Sequence, residues 1–108
     1  MIPVKVTKIS YHSESKSYAV ILKEITGDKC LPVIVGSFEA QSIALAIESV
    51  DTPRPLTHDL ICDLITGIDS VLNTVRINCL EEGVFFAQLE IKSNKLGKRN
   101  IDARPSDA

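Results

Sequence analysis

Apolar and polar residues alternate through Val4-Lys5-Val6-Thr7-Lys8-Ile9-Ser10-Tyr11, the period of a strand with one buried face. A polar stretch at 12–17 predicts a turn, and residues 18–25 predict a second strand. Thr26-Gly27-Asp28-Lys29 supplies turn residues before Cys30-Leu31-Pro32-Val33-Ile34-Val35, a nearly continuous apolar run that predicts a third. Pro32 has no N–H to give to a ladder, so it belongs at an edge or a bulge. The three runs predict an antiparallel meander.

After Gly36 the period changes. Ser37 reads as an N-cap, and Glu39 sits in the first turn, where negative charge favours the helix dipole. Ala40, Ile43, Ala44, Ile47 and Val50 follow the spacing of a buried helical stripe. Pro53 and Pro55 flank Arg54, end this helix and stiffen the connection. Thr57 reads as the cap of a second helix, whose apolar face is Leu60, Ile61, Leu64, Ile65 and Ile68. His58, Asp59 and Asp63 fall off that face, and Gly67 weakens its last turn.

Residues 71–80 and 84–93 predict a β-hairpin across Glu81-Glu82-Gly83. Residues 94–100 read as a polar, basic loop and Ile101-Asp102-Ala103 as a short extended piece. Arg104-Pro105-Ser106-Asp107-Ala108 carries the signals of a helix start where the sequence stops, so a C-terminal helix is expected to be missing. The expected fold is α+β: a mostly antiparallel sheet, built from an N-terminal meander and a C-terminal hairpin, with two helices in the middle. The length suits one domain over residues 1–108, truncated at its C-terminal end.

No run approaches the ~20 apolar residues of a membrane span, and the N-terminus lacks a signal-peptide core, so no membrane partner is expected. Cys30, Cys62 and Cys79 are widely spaced among apolar neighbours and form no C-x-x-C pair. They read as buried thiols in a cytoplasmic protein. A net charge of −2 argues against a strong, non-specific polyanion binder. Locally, Lys92, Lys95, Lys98, Arg99 and Arg104 gather against Asp102 alone, as either a phosphate-touching flap or a solvated hairpin tip. There is no P-loop, G-x-G-x-x-G, H-E-x-x-H or nucleophile elbow. With no Trp, two Tyr and three Phe, the aromatics are too few for a broad base-stacking platform, which argues against sequence-specific reading of nucleic acid.

The chemistry gathers at two similar helix starts, Arg54-Pro55-Leu56-Thr57-His58-Asp59 and Arg104-Pro105-Ser106-Asp107. Each offers an Arg, a rigid Pro, a hydroxyl and an acid near a first turn. Unpaired N–H groups at helix N-termini favour anions, and Arg adds a bidentate fork for phosphate. Arg54, Arg104, Thr57 and Ser106 are therefore candidate phosphate-binding residues. Asp59 and Asp107 suit a divalent cation, Mg²⁺ or Mn²⁺, and His58 a general base; no organic cofactor is expected. Glu39 is a further acid for the same cluster. The same residues also suit ordinary capped helix starts with scaffold ion pairs, and spacing leaves both readings open.

Taken together, Leu31-Pro32-Val33-Ile34-Val35-Gly36, Glu39-Ala40, Ile43-Ala44-Leu45-Ala46, Pro53-Arg54-Pro55-Leu56-Thr57-His58-Asp59-Leu60 and Asp102-Ala103-Arg104-Pro105-Ser106-Asp107-Ala108 resemble one family. It is the bifunctional nuclease domain family, long catalogued as a domain of unknown function. The resemblance implies an α+β fold, self-association (a dimer as first form), and a DNase and RNase activity ascribed to some members. It carries over Glu39, Arg54, His58, Asp59, Asp102, Arg104 and Asp107 as site candidates, Asp102 in a supporting place. Members continue past the second block with an apolar helix and a strand.

Two functions follow. One is a metal-assisted nuclease cleaving DNA and RNA with little sequence preference, with Asp59, Asp107, Glu39 and His58 catalytic. The other is a non-enzymatic anion- or nucleotide-binding module on the same Arg and helix-terminal surface. Both require segments some fifty residues apart to share one pocket.

Overall fold

The computed structural model describes residues 1–79 and 84–108. Strands β1 (Val4–His12), β2 (Ser17–Glu24) and β3 (Cys30–Val35) form an antiparallel sheet in the order β1-β2-β3. Helices α1 (Ser37–Ile47) and α2 (Thr57–Gly67) follow. A second antiparallel sheet contains β4 (Ser70–Cys79), β5 (Phe85–Ser93) and β6 (Gly97–Ala103), also in chain order. The α+β class and the meander stand as the sequence predicts. The turn expected at Glu81-Glu82-Gly83, and the side chain of Cys79, lie outside the described residues.

The chain divides into two compact units, Met1–Asp51 and Thr52–Ala108. In the first, the apolar positions of β1 slip phase between Val6 and Ile9. A register shift between Val6 and Lys8 absorbs the slip. Val6 then stands opposite Leu22, Ile9 opposite Val20 and Tyr11 opposite Tyr18, so all lie on one face. The two tyrosine rings meet at 4.9 Å, tilted by 55°. Pro32 lies on β3, an edge of this sheet, as expected. Ala19, Val20, Leu22 and Val35 are buried, and α1, packed against β2, adds Ala40.

The second unit repeats the device. β4 shifts register between Leu72 and Thr74, which keeps Leu72, Val75 and Ile77 on one face opposite Ile91, Leu89 and Ala87. The other face carries Arg76, Gln88 and Asp102 in one row, and Thr74, Glu90 and Asn100 in the next. Helix α2 lies against β4.

Several expectations need correction. The N-caps are Gly36 and Leu56, not Ser37 and Thr57, which are the first residues inside their helices. Neither cap offers a side-chain acceptor. At α2 the carboxylate of Asp59 reaches back instead and accepts the Leu56 N–H at 3.0 Å. The helical stripes are less covered than their spacing implied: Ile47 is 48% exposed, and Leu60, Ile61 and Leu64 are 45–58% exposed. Cys30 and Cys62 are exposed rather than buried. The expected loop at 94–100 is mostly strand, because β6 starts at Gly97 and pairs with β5 along its whole length. Backbone pairing holds a strand whose polar side chains give no alternating apolar signal.

Both helices stop through a non-glycine residue in the left-handed region, Ser49 at φ 54° and Asp69 at φ 57°. At the first stop, Val50 N–H reaches back to the Leu45 carbonyl at 3.0 Å, the closure of a Schellman turn.

Candidate functional site

Residues 104–108 form a single turn. Pro105 presets its backbone, and the N–H groups of Asp107 and Ala108 donate to the Arg104 carbonyl at 3.0 and 3.1 Å. The turn holds Arg104 and Asp107 on one side. Arg104 Nε donates to Asp107 Oδ2 at 2.7 Å and Nη2 to Oδ1 at 3.2 Å, a two-pronged guanidinium–carboxylate pair. β6 delivers this turn to the start of α2, where Asp107 Oδ1 stands 3.9 Å from His58 Nε2. Segments at opposite ends of the second unit thus meet at a helix N-terminus.

The electrostatics follow from those contacts. The Arg104 hydrogen bonds, then the Arg104 and His58 charges, hold the Asp107 carboxyl below the usual carboxylate range, against the opposing effect of partial burial. Asp107 is therefore an anion at neutral pH. His58 is half-exposed as a side chain, yet its Nδ1 is buried without a hydrogen-bond partner. The nitrogen that can exchange a proton with a bound molecule is thus Nε2, the one facing Asp107.

The other candidates are placed differently. Asp59 is exposed at the third position of α2, with Oδ2 engaged by the Leu56 N–H. Thr57 is exposed at the first helical position, and Ser106 is half-buried within the Arg104 turn. Arg54 is exposed, and its carbonyl accepts from Thr52 Oγ1 at 2.6 Å. Asp102 is exposed on β6, opposite Gln88. Glu39 belongs to the first unit, in the first turn of α1, where its carboxylate lies over Gly36.

The donor set does not match a ready divalent-cation site. Among the described residues, no group of three or more His, Cys, Asp and Glu side chains converges as metal ligands would. Both oxygens of Asp107 face Arg104, and Asp59 is engaged at its own helix start.

Sequence reasoning missed a second polar cluster. Glu90, 7% exposed on β5, accepts from Asn73 Nδ2 at 2.5 Å and from Arg76 Nη2 at 3.3 Å. Asn73 sits at the β4 register shift, which no apolar period announces. The hydrogen bond from Asn73, then Arg76 and the charge of Lys98, hold the Glu90 carboxyl low against its burial. This network is satisfied, and it reads as scaffold.

A family model described as the bifunctional nuclease domain matches residues 20–108. The chain belongs to the bifunctional nuclease domain family. The chain is also similar to two uncharacterized proteins of Mycobacterium tuberculosis, MT1877 of strain CDC 1551 / Oshkosh and Rv1829 of strain H37Rv. Each is 42% identical over 105 residues, covering 97% of this chain. The chain spans 62% of the length of those relatives. The matched region of this bifunctional nuclease domain contains every candidate site residue, from Glu39 to Asp107.

Proposed function

We propose that this bifunctional nuclease domain hydrolyses phosphodiester bonds in DNA and RNA with little sequence preference. The observation that carries the reading is the meeting of His58, Asp107 and Arg104 at the N-terminus of α2. A phosphate arriving there competes with Asp107 for the Arg104 fork and gains from the unpaired N–H groups of the helix. His58 Nε2, which faces the Asp107 carboxylate at 3.9 Å, is the group to move a proton. Arg54, Thr57 and Ser106 are further phosphate contacts in this reading, with Asp102 supporting. Glu39 remains a proposed acid of the same chemistry. Mg²⁺ or Mn²⁺ is the proposed cation, and Asp59 and Asp107 would have to leave their present partners to hold it.

The test is cleavage of a fluorescent single-stranded oligonucleotide by the full chain, with Mg²⁺, with Mn²⁺ and with chelator. His58→Ala should lower kcat by about 10²-fold or more, the scale of a lost acid–base group. Turnover unchanged in that variant would remove the site. One observation favours a second reading: Asp107 is already neutralised by Arg104, as in an anion-binding module awaiting a competing ligand. That module would bind nucleotides saturably, without turnover and without a divalent metal.

We further propose a cytoplasmic setting, supported by the free thiols of Cys30 and Cys62. Self-association, with a dimer as first form, is supported by the exposed Leu60, Ile61 and Leu64 on α2. Sedimentation should show mass rising with concentration, and Leu60→Lys/Leu64→Lys should return it to the monomer value.

A further inference from the structure

The hairpin joining β5 to β6 carries charge in an unusual way. Residues 91–101 hold Lys92, Lys95, Lys98 and Arg99 and no acid. Lys92 stands directly opposite Lys98 in the ladder, and Lys95 occupies the turn between them. Like charges facing each other across a strand pair cost stability in the free protein. All three lysines are exposed, and none makes an ion pair with another described residue. Lys98 acts on Glu90 at a distance, but Asn73 and Arg76 hold that carboxylate. The turn itself is built rather than loose. Ser93 Oγ accepts from the N–H groups of Lys95 and Leu96 at 3.3 and 3.5 Å, and Gly97 takes φ 69°.

β6 runs from this tip to Ala103, immediately before Arg104, so one strand connects the lysines to the candidate site. Its seven residues span about 20 Å at ~3.3 Å per residue. That distance holds roughly six nucleotides at the ~3.4 Å rise of a stacked strand. Adjacent strands lie ~4.8 Å apart, which sets Lys92 and Lys98 at a separation that can bridge neighbouring phosphates. Asp102, the acid of β6, lies at the Arg104 end and leaves the tip unopposed.

We propose that the β5–β6 tip is a docking surface for the phosphate backbone of a single-stranded polynucleotide, tethering it about one β6 length from the Arg104–Asp107–His58 cluster. The tip carries no aromatic ring, so it holds phosphates and reads no bases. The tether rests on the hydrolytic reading for its purpose, though not for its binding.

The experiment compares the full chain with Lys92→Gln/Lys95→Gln/Lys98→Gln, exposed changes whose folding circular dichroism verifies. Binding of a labelled single-stranded DNA 12-mer is followed by fluorescence anisotropy across a sodium chloride series. Three lost phosphate contacts should reduce the slope of log K against log salt by about 2, at ~0.7 per contact for single strands. An unchanged slope would overturn the proposal. In cleavage assays, the wild-type advantage of the 12-mer over a tetranucleotide should vanish in the variant, through KM and with kcat kept. A fall in kcat at constant KM would also overturn it. If no chain cleaves yet the slope difference persists, the hydrolytic reading fails and the docking surface stands.

Discussion

Glu90 keeps its charge in the second sheet because Asn73 and Arg76 face it from β4. Its folded-state pKa is lowered, so ionisation contributes stability above the ordinary glutamate range. That contribution is lost as pH falls through the depressed folded value. Urea melts should therefore show stability declining from about pH 5 to about pH 3, with a shallower decline in Glu90→Gln, which keeps a polar group but does not titrate. Asp107 has the same sign, with Arg104 as the cause. The sequence was unequally informative about these two acids. Asp107 was visible because Arg-Pro-Ser-Asp is a local grammar that needs no partner to be read. Glu90 was not, because an acid inside an alternating strand reads as solvent-facing, and the register shift that brings Asn73 to it leaves no mark in the period.

Among the elements, strands with an apolar face were legible and the strand without one was not. β1 to β3 and β5 follow apolar patterns, whereas β6 exists through its pairing with β5. The helices were legible by spacing, but their caps were not, since Gly36 and Leu56 bring no capping side chain. The turn before β6 offers a direct check. Gly97 stands at φ 69°, and a Cβ there would meet nothing within 4 Å. The cost of Gly97→Ala is therefore backbone strain alone, about 1–2 kcal/mol in equilibrium denaturation. Gly97→Asn should cost less, because Asn tolerates this region better. A hairpin strained in this way would also misalign Lys92 and Lys98, so both variants should weaken oligonucleotide binding in the same order.

For the molecule as a whole, family membership was legible because two long blocks, at 53–60 and 102–108, occur in order along the chain. The division at Asp51 and Thr52 was not, since the Pro53-Arg54-Pro55 connection reads equally well as a stiff link inside one domain. The matching ends of the two helices offer a way into that organisation. Ser49 and Asp69 each take a left-handed backbone that glycine adopts without steric cost, and they belong to different units. Ser49→Gly should raise stability by up to about 1 kcal/mol, and Asp69→Gly by less, because Asp already tolerates that conformation. The pair thus works as two internal thermometers. In scanning calorimetry, a chain that melts as one body should shift its single peak with either glycine, whereas independent bodies should answer one glycine each.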